Sequence, residues 1–252
     1  MSKKTLLACA AAAALALPAA AQTVDEIIAK NVEARGGIKT LKAANTVRMA
    51  GRMTVGPGLE APFVLEQKRP NRMRLDITFQ GMTGTQAYDG GSAWMVMPFM
   101  GKKDPEKVPD EDAQAFAEQA DFDGVLVDYK DKGHAVDLIG KEPVEGSEAY
   151  KLKVTMKDGA IRYVYIDAEA FLEIRTEGKR KIRGSEVEGE SSIGDYKEVA
   201  GMMMPHAVES GAKGSPQKQK ITIDKIEVNV PIDDTRFVMP EVKKDEPAPP
   251  KQ

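Results

Sequence analysis

The chain has one cysteine, Cys9, and two histidines, His134 and His206. A single thiol cannot close an internal disulfide, and two histidines cannot supply the usual four-ligand zinc set, so a disulfide scaffold and a zinc finger are both excluded. Aromatic residues make up only 6% of the 252 positions, and the net charge is -3 with both signs dispersed along the chain. No basic face of the kind nucleic acid requires is present. Beyond residue 21 there is no run of about 20 apolar residues, the length a membrane-spanning helix needs. There is no nucleophile elbow, no HExxH and no phosphate-binding loop, and the acidic residues form no carboxylate pair of distinctive spacing.

What is present begins with an export signal. Lys3 and Lys4 form a basic start, Leu6 to Leu17 an apolar stretch, and Ala19-Ala20-Ala21 a small-residue cleavage site before Gln22. Cleavage after Ala21 removes the only cysteine and delivers a soluble chain to the periplasm. Leu6-Leu7-Ala8-Cys9 resembles a lipidation box, but it follows the lysines more closely than the roughly 7-residue apolar stretch allows.

The rest of the chain, 22–242, reads as one domain, with a Pro- and Lys-rich tail, 243–252, expected to be disordered. Thr23-Val24-Asp25-Glu26 is a capping box, Val24, Ile27, Ile28 and Val32 form a helical stripe, and Gly36-Gly37 ends it. From Thr46 the period changes to two. Val47, Met49, Met53 and Val55 alternate with Arg48, Arg52 and Thr54, and Gly56-Pro57-Gly58 turns the chain. Phe63 and Leu65, then Met73, Leu75, Ile77 and Phe79, continue the alternation. Tyr88-Asp89-Gly90-Gly91 signals a hairpin. It leads into Trp94 to Met100, apolar on both faces and so covered on both sides or flanking a ligand.

Between Pro109 and Asp128 the period is helical, with Ala113, Phe116, Ala117 and Ala120 opposite Glu111, Gln114 and Glu118. Strands then resume over Val136 to Ile139, Tyr150 to Met156, Ile161 to Ile166, Phe171 to Thr176, Glu186 to Tyr196, Met202 to Glu209 and Ile221 to Val228. About ten strands with so few helices cannot make a parallel sheet with crossovers. The pattern predicts a mainly β fold, an unclosed antiparallel half-barrel with helices on its concave side enclosing an apolar cavity.

The wording of these segments carries a resemblance. Thr23 to Gly37 running to Leu41, Val47-Arg48-Met49-Ala50-Gly51-Arg52-Met53, Tyr165-Ile166-Asp167, Gly194 to Gly201, Pro205, and Ile223 to Pro240 together resemble the bacterial outer-membrane lipoprotein-sorting proteins of the LolA/LolB-like superfamily. The resemblance implies a half-barrel with a helical lid over a hydrophobic cavity. It implies a carrier of lipid or lipoprotein acyl chains in the periplasm; holding such a chain takes only an apolar wall and a lid, with no cofactor, and delivery takes a partner, at the inner or outer membrane, that opens the lid or offers a better site. It also implies a lid-latching arginine, for which Arg48 and Arg52 are the candidates. The same architecture serves envelope-stress regulators that bind a signalling protein, and this is the alternative function.

The candidate cavity wall is Phe63, Leu65, Met73, Leu75, Phe79, Trp94 and Met97, with Phe116 on the lid. Each has a second reading. Trp94 fits a cavity wall or a core plug, and Phe116 a lid face or an ordinary packed helix. The methionine clusters Met95, Met97, Met100 and Met202-Met203-Met204 fit core filling or a wall that repacks around acyl chains. Met202 and Met204 share a strand face that Met203 does not, which limits thioether binding of a soft metal. Asp89, Gly90, Asp158 and Gly159 are turn residues. His134 and His206 lack triad partners, and Lys179, Arg180, Lys181 and Arg183 form a basic run suited to a solvated face or a phospholipid headgroup.

Overall fold

The computed structural model describes residues 22–182 and 185–241, so the expected leader with Cys9, the tail 243–252, and Arg183 of the basic run lie outside the described residues. Helix α1 (Val24–Ala34) starts where the capping box places it. The Thr23 hydroxyl accepts from the Glu26 amide, and the Glu26 carboxylate accepts from the Thr23 amide at 2.8 Å. Gly36, at φ +115°, ends the helix against the chain at Gly201, where any added Cβ would collide with the Gly201 carbonyl oxygen. A short helix, α2 (Ile38–Ala43), follows.

Thirteen strands come next: β1 (Thr46–Gly56), β2 (Leu59–Lys68), β3 (Arg72–Phe79), β4 (Met82–Tyr88), β5 (Ala93–Met97), β6 (Lys102–Lys107), then, after helix α3 (Asp110–Ala120), β7 (Ala135–Val144), β8 (Ser147–Thr155), β9 (Ile161–Asp167), β10 (Glu173–Ile182), β11 (Ser185–Val199), β12 (Met202–Ala212) and β13 (Gln219–Val228). They form one antiparallel sheet in the order β6-β5-β4-β3-β2-β1-β13-β12-β11-β10-β9-β8-β7. The sheet is unclosed, with β6 and β7 as its edges.

Four expectations need correcting. The strand count is thirteen because β4 and β6 carry no apolar alternation. The inserted helix ends at Ala120 rather than near Asp128, because Leu126 and Val127, both fully buried, belong to different apolar clusters, which one helical face cannot serve. The apolar run from Trp94 is a strand only to Met97, and Pro98–Met100 is a 3-10 turn. Phe171 sits in a left-handed turn at φ +56°, so its strand begins at Glu173.

Helices α1, α2 and α3 lie on one face of the sheet. Ile27 and Ile28 of α1 pack on Leu152 and Val154 of β8 and on Val164 and Ile166 of β9. Leu41 and Ala44, at α2, pack with Val127 and Met202. Helix α3 packs on Met73, Tyr88 and Ala93. Yet α3 also touches the other half of the sheet: Arg162 of β9 donates to Glu118 at 2.5 Å, and Gln114 donates to Asp158 in the β8–β9 turn. In a flat sheet, eight strand spacings would separate β4 from β9 by roughly 38 Å, whereas an 11-residue helix is about 16 Å long. The sheet must therefore curl into a half-barrel around α3.

The outer face of β1–β5 is covered by the chain after β13. Phe237 is fully buried and its carbonyl accepts the Trp94 indole N–H at 2.7 Å. Glu66, buried beneath this segment, is bound by Arg48 and Arg236, and Asp234 by Lys68 and Arg72, each at 2.7 Å.

Candidate functional site

Residues directly opposite in an antiparallel ladder share a face, and the register sorts the candidate wall residues. Gly51 pairs with Phe63 and Met49 with Leu65. Phe63 pairs with Ile77, Leu65 with Leu75 and Gln67 with Met73. Met73 pairs with Tyr88, Ile77 with Gly84 and Phe79 with Met82. Phe63, Leu65, Met73, Leu75 and Phe79 thus share the inner face, under the helices. Met97 joins them beside Gly84, whose missing side chain makes room: an added Cβ would lie 2.6 Å from the Met97 sulfur and 2.7 Å from the Phe99 ring. Phe116 reaches the same surface from α3, against the cluster of Met73, Leu65, Leu75 and Met95.

Trp94 does not belong to this wall. It pairs with Ala87, on the outer face, and is 2% exposed beneath the C-terminal segment. The run that begins at Trp94 is apolar at both parities because two different covers use it. Met95 and Met97 face inward, while Trp94 faces the strap that carries Phe237.

The opposite wall comes from β11 to β13. Val208 pairs with Ile221 and Ile193 with Val208, so all three face inward with Met204 and Ile226. Met49, Leu65, Leu75, Ile77, Met204, Val208, Ile221 and Ile226 are all half-buried, unlike the fully buried Leu152 and Val154 under α1. They form a trough floor that the helices only partly cover. His206 is buried in this wall with Nδ1 3.0 Å from the Met204 carbonyl oxygen. Two surface depressions of about 710 and 440 Å³ lie elsewhere, one bounded by Thr46, Lys68 and Ile232, the other by Thr54, Leu59 and Lys220.

The arginine that fastens the helices is Arg69, at the end of β2. Its guanidinium donates to both Asp123 oxygens, at 2.6 and 2.7 Å, and to the Leu41 and Ala44 carbonyls, and it stacks on the Phe122 ring at 4.5 Å. Lys42 adds a third bond to Asp123 at 2.8 Å, and Arg35, the C-cap of α1, donates to the Asp123 carbonyl at 3.0 Å. The two candidates from the resemblance lie on the outer face. Arg48 pairs with Glu66 at 2.9 Å, and Arg52 with Glu60 and Asp224, each at 3.4 Å. Arg69 sits in a turn before Pro70, where periodicity gives no signal. The only clue was its partner, a lone acid between Phe122 and the apolar Val125 to Val127.

Burial would raise the Asp123 pKa, but the bonds from Arg69 and Lys42 outweigh it and hold the carboxyl at about 2, below its ordinary 3.8. The folded-state value is the lower one, so the stabilisation is full above pH 4 or so and is lost as the pH falls towards 2; the gap corresponds to about 2 kcal/mol. Between about pH 5 and about pH 1.5 the wild-type chain should lose about 2 kcal/mol more stability than Asp123→Asn. Parallel denaturation curves would remove Asp123 from the fastening.

No protein-family model matches the chain, and neither does any curated protein. Among solved structures, a LolA superfamily protein from Nitrosomonas europaea aligns with TM-score 0.56 at 16% identity, covering 86% of this chain and 98% of the other. The chain has the LolA-type fold. A putative outer membrane lipoprotein-sorting protein domain from Vibrio parahaemolyticus aligns with TM-score 0.58 at 12% identity over 84% and 94% of the two chains. A DUF1329 family protein from Desulfovibrio piger gives 0.59 at 15% identity over 85% and 97%. In this LolA-type fold the inner face of the half-barrel, on the side of the helices, carries the half-buried apolar residues of β1, β2, β3, β12 and β13.

Proposed function

We propose that this protein is an exported, periplasmic carrier that holds the acyl chains of a lipid or lipoprotein in the trough, with α3 as its lid. The observation that carries the reading is the half-buried apolar floor shared by β1, β2, β3, β12 and β13. A folded chain gains by covering such a surface, and each CH₂ that leaves water against it contributes roughly 0.8 kcal/mol. An acyl chain needs only that floor and a cover, so no catalytic group or cofactor enters the mechanism. The methionines favour a cargo of variable shape, since Met49, Met73, Met95, Met97 and Met204 all face inward, and thioether side chains repack at little cost. Among the described residues no helix is long and apolar enough to cross a membrane, in keeping with a carrier that moves between membranes and hands its cargo to a membrane-associated partner.

Uptake of a fluorescent fatty acid from solution tests the proposal. Wild-type protein should bind it, and Phe116→Asp should bind at least tenfold more weakly, because a carboxylate facing hydrocarbon is expensive to bury. Circular dichroism should be unchanged. Equal uptake by the folded variant would remove α3 from the mechanism. No uptake by wild type, with a protein partner bound instead, would favour the sensor function.

A further inference from the structure

The strand directions place the β1–β2, β3–β4, β5–β6, β8–β9 and β12–β13 connections at one end of the half-barrel. The other end is occupied by α1 and α2, with Gly36 against Gly201 in the β11–β12 turn. The first three of these hairpins are neighbours in the sheet, so their tips form a row with roughly 10 Å between one and the next. Each tip carries an exposed apolar side chain: Leu59, 51% exposed, in the first; Met82, 38%, in the second; Met100, 70%, after β5 in the third. Val55, 41% exposed, stands beside Leu59. Elsewhere among the described residues exposed large apolar side chains stand singly, as at Ile139 on the β7 edge, except for the adjacent Val238 and Met239 in the C-terminal segment.

Cations flank the row. Lys102 and Lys103 follow Met100 directly, and Lys218 and Lys220 line one depression with Leu59. Lys103 has no ion-pair partner among the described residues, while Lys102 pairs with Glu106, Lys218 with Glu190 and Lys220 with Glu209. Glu60, Asp104 and Glu106 share the rim, so charge supplies a modest attraction and the apolar tips supply the hold. The row is also continuous with the trough floor, since Ile77, Phe79 and Met82 follow one another along the inner face from floor to tip.

We infer that this hairpin rim docks on the surface of a phospholipid bilayer, inserting Leu59, Met82 and Met100 at headgroup depth with the trough mouth facing the membrane. A soluble protein gains nothing from three apolar tips in line at the open end of a groove, whereas a bilayer interface accepts unbranched and γ-branched side chains at that depth and pairs its phosphates with the flanking lysines. The rim docks whether or not the trough takes lipid.

Cosedimentation with vesicles of phosphatidylethanolamine and phosphatidylglycerol tests it, using the chain from Gln22 onward, which holds every described element of the fold. Wild-type protein should sediment with the vesicles, more strongly as phosphatidylglycerol increases. The variant Leu59→Asp/Met82→Asp/Met100→Asp should bind at least tenfold more weakly with unchanged circular dichroism. Met100→Trp provides a direct reading of depth, and its emission should shift to the blue when vesicles are added. Absence of wild-type sedimentation, equal sedimentation of the triple variant, or an unshifted Met100→Trp emission would each overturn the inference. Fatty-acid uptake from vesicle-free solution, measured on the same triple variant, should be unchanged, so failure of the rim and failure of the carrier reading are separable.

Discussion

Replacing Phe237 with alanine is expected to cost about 3 to 5 kcal/mol of folding stability, the range for truncating a fully buried aromatic side chain. Phe237 is 0% exposed although it lies outside every strand. Its ring seats the segment that covers the outer face of β1–β5, and its carbonyl satisfies the Trp94 indole at 2.7 Å. Without the ring, the strap loses its anchor and Trp94 loses its cover. Buried Glu66 would then depend on Arg48 alone, since Arg236 travels with the strap. Trp94 is the only tryptophan, so its emission reports directly on this site. Urea denaturation should show the lost stability, and native-state emission should move to the red. A loss under about 1 kcal/mol with unchanged emission would mean the strap is not part of the fold's stability.

The second large effect is a contrast between two leucines. Leu152 is fully buried under α1 between Val154 and Val164, and Leu152→Ala should cost about 2 to 5 kcal/mol. Leu75 lies half-buried on the trough floor, and Leu75→Ala should cost about 1 kcal/mol, because part of its surface already faces open space. Fatty-acid affinity should respond in the opposite order, falling for Leu75→Ala and staying unchanged for folded Leu152→Ala. Equal stability costs would make the floor a solid core.

The elements legible in the sequence are those in which local chemistry and tertiary burial agree. The capping box and the paired glycines bound α1, and one-sided alternation marks β1, β2 and β3, because their inner positions meet apolar neighbours while their outer positions hold Arg48, Glu66, Arg74 and Asp76. Strand β4 was illegible for a packing reason. Its inner positions include Gly84 and Gln86, since Met97 and Phe99 lie over Gly84 and leave no room for a side chain there. Strand β6 was illegible because it is an edge, and edges carry charge and proline to prevent further pairing, as Lys102, Lys103, Asp104 and Pro105 do. Alternation gives two faces but not which one the sheet curls around, so Trp94 could be assigned to either. Only the fold, by laying the C-terminal segment across the outer face, decides it. Arg69 was hidden for a related reason: its partners come from positions 41, 44 and 123, and no local pattern links them.

The most direct test of the carrier reading is the denaturation midpoint of the wild-type chain with and without a long-chain fatty acid. A ligand that binds only the folded state, at about 100 times its dissociation constant, stabilises it by about 2.7 kcal/mol. Carriage of acyl chains requires a clear rise of the midpoint, smaller for Leu75→Ala at the same fatty-acid concentration. A wild-type midpoint that does not move at saturating fatty acid would contradict it.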